Sequence, residues 1–194
     1  MKNIILFCTL SLYGAILVQG EEKPTVNIPS ELRQGNWIGR QGEGSCVHAS
    51  FISLLRWQGR YNTANYWRNH YGNGECPGHF ASLLNRNNIR FAYVTNGDVK
   101  FLEWACRTRR GCAITVLRGK HVVTLVHFDE DDYDDTTQEY AAILDNNNPT
   151  RYIWMPRDTL ISEWRSSYGW AVTPVYSPAA PLPNSKRFFH FQER

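Results

Sequence analysis

The chain has 194 residues, 42% hydrophobic and 20% charged, with seven Trp, ten Tyr and nine Phe. That composition supports one domain with a real core and excludes an intrinsically disordered chain. A net charge of +3 is too weak to argue for nucleic acid or an acidic membrane surface as a partner.

The first twenty residues read as a secretory signal peptide. Lys2 supplies the basic start, 4–18 is an apolar stretch, and Gln19-Gly20 precedes the polar Glu21-Glu22-Lys23-Pro24, which sets the expected cleavage after Gly20. The stretch is short for a membrane anchor and lacks a basic stop-transfer flank. No other segment is apolar enough to span a bilayer. The expectation is a secreted or periplasmic protein without stable membrane insertion. Loss of 1–20 removes Lys2 and no acidic residue, taking the net charge from +3 to +2.

Export to an oxidising space makes disulfides possible. Cys8 leaves with the signal, and Cys46, Cys76, Cys106 and Cys112 remain. Two disulfides are one arrangement; a single disulfide with Cys46 free is the other. Cys106 and Cys112 flank the basic turn Arg107-Thr108-Arg109-Arg110-Gly111 and are a possible disulfide, though Cys76 can take either of them. No Cys or His spacing matches a zinc site, so no metal or cofactor is expected.

In chain order, 21–37 reads as an extended lead-in with two prolines. Residues 46–57 follow as a helix, with Val47, Phe51, Leu54 and Leu55 on one stripe, Ser45 as N-cap and Gly59 as terminator. Short helices are expected over 64–71 and 79–87, separated by the turn-rich 72–78. A short strand over 89–94 and a helix over 98–108 come next. The pattern then turns β-rich, with strands over 113–117, 121–128, 140–144 and 150–155. A helix over 156–164 and a last strand over 170–176 precede the Pro-rich tail, 177–194. Helices first and antiparallel strands second predict an α+β fold of two layers meeting at a cleft, in a domain spanning 38–176. The acidic run between Phe128 and Tyr140 lacks the Gly and spacing of a known calcium loop and reads as a solvated hairpin tip.

Cys46 is the residue that carries chemistry. It follows the quiet run Gln41-Gly42-Glu43-Gly44-Ser45 and opens an apolar helix. The unpaired N–H groups and dipole of a first helical turn favour a thiolate, the nucleophilic form of cysteine. A cysteine hydrolase also needs a base, a group to orient it and oxyanion donors. Of six histidines, His121 suits the base best, because it opens the strand His121-Val122-Val123-Thr124-Leu125-Val126 and is held rigidly at its mouth. His48, two residues past Cys46, points to another helix face. The strand 140–144 ends in Asp145-Asn146-Asn147-Asn148-Pro149. If it pairs antiparallel with the His121 strand, Asp145, or else Asn146 or Asn147, bonds the imidazole and sets its tautomer. The backbone N–H of Cys46 and the side-chain amide of Gln41 are the expected oxyanion donors.

Together, Gln41-Gly-Glu-Gly-Ser-Cys46-Val-His-Ala49, Gly119-Lys120-His121-Val122-Val123 and Ile143-Leu144-Asp145 resemble a papain-like cysteine peptidase, with the bacteriocin-processing-peptidase-like branch as the closest. The stretch from Trp154 to Trp164 resembles the short helix that follows the catalytic Asp in that branch. The resemblance covers roughly 40–175. It implies a papain-like fold with the nucleophile helix against an antiparallel sheet, a Cys46-His121-Asp145 triad, a thioester intermediate and a peptide or protein substrate. The chain departs from the branch in two ways. Asn146 stands where the family commonly has Pro, and Val47 follows the cysteine where the branch usually has Gly. Transglutaminase or cell-wall amidase activity on the same fold is a competing expectation. A binding module with Cys46 tied in a disulfide is another.

Overall fold

The computed structural model describes residues 23–39, 41–130 and 138–176. The signal peptide expected over 1–20, the Pro-rich tail and the acidic positions 131–137 lie outside the described residues. The order is α1 (Cys46–Trp57), α2 (Tyr61–His70), α3 (Pro77–Arg86), β1 (Phe91–Val94), α4 (Val99–Arg107), β2 (Cys112–Val116), β3 (His121–Phe128), β4 (Tyr140–Leu144), β5 (Tyr152–Pro156), α5 (Arg157–Ser166) and β6 (Ala171–Pro174). One six-stranded sheet has the strand order β1-β6-β2-β3-β4-β5, with every pairing antiparallel. The class is α+β, as expected.

The expectation of two layers is corrected to three. β2 is buried throughout and β3 almost throughout, so both faces of the sheet need cover. α1, α2 and α3 pack with Val122, Val126, Ala142 and Leu144 on one face. α4 and α5 pack with Ile114, Val123, Leu125 and Ile143 on the other. Val122 and Val123 fall in different clusters because successive strand residues face opposite ways. A near-continuous apolar run such as 122–126 is the signature of a strand covered on both sides.

α1 is the axis of the first layer. Residues 47–55 are all buried, well beyond the one stripe that periodicity predicts. Each fully buried Phe, Ile or Leu there contributes about 1.5–3 kcal/mol. The helix ends in a Schellman motif: Gly59 takes φ +73°, its N–H donates to the Arg56 carbonyl at 2.9 Å, and the Arg60 N–H donates to the Leu55 carbonyl at 2.8 Å. Ser45 sits at the N-cap position but makes no side-chain capping bond. Its hydroxyl instead accepts the Trp37 N–H at 2.8 Å and donates to Asn36 Oδ1 at 2.9 Å.

The lead-in is more than extended chain. Val26 and Ile28 are fully buried in the α1 layer. The Val26 N–H donates to the Val126 carbonyl at 2.8 Å. Val126 is the extra residue of a bulge in β3, where the register against β4 shifts between Leu125 and His127.

Candidate active site

β3 begins at His121 and β4 ends at Leu144. Their antiparallel register pairs Thr124 with Leu144, so the start of β3 lies beside the chain that leaves β4. That chain turns at once. Asp145 Oδ1 accepts the Asn147 N–H at 2.9 Å, and the Asp145 carbonyl accepts the Asn148 N–H at 3.0 Å. This Asx turn points the Asp145 carboxylate at the imidazole. His121 Nε2 and Asp145 Oδ1 are 2.9 Å apart. Both residues are only 6% exposed.

Cys46, half-buried at the first position of α1, is the second partner of the ring. Since Asp145 engages Nε2, the nitrogen left for the sulfur is Nδ1. Burial works against a charge on His121. The bond to Asp145, the bond and charge of Cys46 and the charge of Asp145 outweigh it, and the pKa rises from 6.5 to about 9. Burial also opposes the charge on Asp145, yet the His121 bond, the Asn147 N–H and the imidazole charge hold its pKa below the usual carboxylate value. An imidazolium so placed donates to the carboxylate on one side and faces the thiol on the other.

The three candidates for the orienting group separate on geometry. Asp145 alone offers the ring an acceptor at hydrogen-bond distance. Asn147 Nδ2 lies 3.4 Å from Nε2, but it is a donor facing a nitrogen whose proton already goes to Asp145. Asn146 turns away from the ring. Its Nδ2 lies 3.0 Å from the Cys46 carbonyl, 2.9 Å from the Ser50 hydroxyl and 2.7 Å from the Val122 carbonyl, with two N–H groups to share among them.

Gln41, the expected oxyanion donor, is exposed on a turn, where its backbone N–H donates to Asn73 Oδ1 at 3.2 Å. Among the described residues its side chain makes no hydrogen bond. The turn-forming Gly42, with φ +82°, bends the loop between Gln41 and the helix. Asn36, which sequence reasoning did not single out, bonds the residue before Cys46. It accepts the Ser45 N–H at 2.8 Å, donates from Nδ2 to Asn147 Oδ1 at 2.9 Å and donates its N–H to the Asn146 carbonyl at 2.7 Å. It thus joins the loop before Cys46 to the turn after Asp145. Only a long-range contact reveals this, and no local motif marks it.

The possible disulfide between Cys106 and Cys112 is not formed. Cys46, Cys76, Cys106 and Cys112 are all free thiols. Cys106 and Cys112 are fully buried within the α4–α5 layer, where they pack as small apolar side chains. Burial pushes both thiols well above their ordinary pKa.

The other histidines have separate settings. His48 is buried among Trp67, Tyr71 and Phe80, with Nδ1 accepting the Trp67 indole N–H at 3.0 Å. His79 bonds Glu75 on the surface. His70 Nδ1 bonds the Tyr66 carbonyl at 2.8 Å. His127 bonds Thr25 and Asp129, and His190 lies outside the described residues. Among the described residues no helix is long and apolar enough to cross a membrane. No protein-family model matches this chain, and neither curated proteins nor solved structures give a match, so the likeness to papain-like peptidases rests on the residues themselves and their order.

Proposed function

We propose that this protein is an exported papain-like cysteine peptidase or amide hydrolase. The observation that carries the reading is the buried His121 held between the Asp145 carboxylate at 2.9 Å and the Cys46 side chain. A free Cys46 thiol supports catalysis over a disulfide-capped binding module. In the mechanism, His121 holds the proton of Cys46 as an imidazolium, and the thiolate attacks the scissile carbonyl. The N–H of Cys46, at the first position of α1, faces the developing oxyanion. His121 then protonates the leaving amine, and a thioester remains on Cys46. Water, deprotonated by His121, attacks the thioester; collapse of the adduct releases the acid and returns the thiol. Asp145 holds the ring in place throughout and stabilises its charge.

The test is hydrolysis of a panel of peptide and protein substrates by the full chain and by Cys46→Ala. The variant is expected to lose all measurable turnover. Full activity in Cys46→Ala refutes the proposal. Amine incorporation, measured in the same panel, separates hydrolysis from acyl transfer to an amine.

A further inference from the structure

We propose that Asn146 is a positioning residue, a single amide that sets the distance between the nucleophile helix and the strand carrying the base. The inference rests on the cysteine chemistry proposed above. Asn146 is only 3% exposed. Its Nδ2 stands within 3.0 Å of the Cys46 carbonyl, 2.9 Å of the Ser50 hydroxyl and 2.7 Å of the Val122 carbonyl. Cys46 and Ser50 are one turn apart on α1, and Val122 is next to His121 on β3. Asn146 itself is next to Asp145. Its own carbonyl accepts the Asn36 N–H at 2.7 Å, which ties in the loop before Cys46. Three members of the site therefore share one neighbour in space or in sequence.

The chemistry of the clip fixes which way the amide points. Two of its three partners are backbone carbonyls, which only accept. The NH₂ group must face them, and no flipped amide satisfies the site. An aspartate of the same shape would set a carboxylate oxygen against two carbonyl oxygens and push α1 and β3 apart. This explains why an amide suits this position and a carboxylate does not, although Asp145 beside it must be a carboxylate. Displacement of about 1 Å between reacting groups is enough to cost about 10²-fold in rate. A clip at the first turn of α1 controls a displacement of that kind.

The experiment uses the full chain and iodoacetate, an anion that an imidazolium beside the thiol attracts. The rate of Cys46 carboxymethylation is followed against pH by mass spectrometry, with thermal unfolding in parallel. The groups facing His121 are Cys46 from α1 and Asp145 from the turn after β4. The unaltered protein is expected to lose rate as the pH rises through about 9, where His121 gives up its proton. Asn146→Ala, which removes the amide without adding a charge, is expected to slow labelling at neutral pH about tenfold or more, and to bring the fall down towards the ordinary imidazole value of about 6.5. If Asn146→Ala does not fold, Asn146→Ser, a polar and smaller change, is expected to move both in the same direction by less. A lowered melting temperature with an unchanged rate and pH profile overturns the proposal and leaves Asn146 a structural residue. His121→Ala is the control for the underlying chemistry. If its profile matches the unaltered protein, the Cys46–His121 pair itself fails, and the positioning role falls with it.

Discussion

At the scale of single residues, the pH dependence follows from where each proton is held. His121 is raised to about 9 in the folded protein, so its pairing contributes stability that is fully present below about pH 6.5 and fades as the pH rises through 9. Asp145, held below the usual carboxylate value, contributes stability above that range and loses it as the pH falls through its lowered folded value. Activity is expected to show an alkaline limb near pH 9, and Asp145→Asn is expected to move that limb down towards 6.5, read from the pH profile of kcat/KM. His48 behaves in the opposite way. Burial, chiefly, lowers its pKa to about 4; a bond to the Asn73 backbone opposes this and the charge of His79 adds to it. The unfolded chain therefore binds a proton that the folded one refuses. Stability is expected to fall by on the order of 3 kcal/mol between pH 6.5 and about 4. His48→Gln, which still accepts the Trp67 N–H, is expected to flatten that fall when thermal unfolding is compared at pH 7 and pH 5. His48 shares a first turn with Cys46 and was weighed as a base. Its rejection on helix geometry agrees with its place among Trp67, Tyr71 and Phe80.

At the scale of elements, the turn before His121 is the least expected feature. Leu117 and Arg118 both take φ +55° and Gly119 takes +79°, so two side-chain-bearing residues lie in the left-handed region. α5 and Ser167, just past its end, hold the turn in that shape. Glu163 Oε1 accepts the Leu117 N–H at 2.6 Å, and the Ser167 hydroxyl accepts the Arg118 N–H at 2.8 Å. The strain is local and the restraint comes from more than forty positions away, as expected of a tight turn that aims a functional residue. Glu163→Ala is expected to lower stability by about 1–3 kcal/mol, measured by denaturant unfolding, because it removes a charge-assisted bond to a strained backbone. Gly119→Ala is expected to do at least as much harm, since a side chain at φ +79° is strained and its Cβ would also meet the Tyr168 ring. These contacts explain the limits of reading this chain. α1, β3 and β4 were legible to the residue, because Gly59, the 121–128 run and the Asx-rich turn are local signals. The bond from Asp145 to His121 was legible once antiparallel pairing was assumed. The Asn36 and Asn146 bonds and the exposed place of Gln41 were not, since amides in turn-rich sequence carry no sign of a distant partner.

At the scale of the whole molecule, the sheet separates two apolar layers, and the candidate site sits at the end of the α1 layer. The lead-in was underrated for a related reason. Val26 and Ile28 are isolated apolar residues among polar ones, and only docking on the β3 bulge buries them. On the far face Arg157 braces three elements. It bonds Glu103 on α4 at 2.9 Å, Glu139 beside β4 at 3.1 Å and the Asp129 carbonyl at 3.0 Å. Arg157→Ala is expected to cost about 3–5 kcal/mol by leaving two largely buried carboxylates without that partner, read as a lower denaturation midpoint. The thiols report on both layers at once. Cys106 and Cys112 are expected to resist alkylation until the protein unfolds, while Cys46 and Cys76 label in the native state.

Cys76 also supplies the internal standard for the central claim, for it is exposed where Cys46 is only half-buried. On access alone, Cys76 should be the faster to label. The most direct measurement is the rate of iodoacetamide labelling at each of the two thiols near pH 6, in the unaltered protein and in His121→Ala. If His121 activates Cys46, then Cys46 labels faster than Cys76 and slows at least tenfold in His121→Ala, with Cys76 unchanged. A Cys46 that labels more slowly than Cys76, at a rate indifferent to His121, contradicts the account.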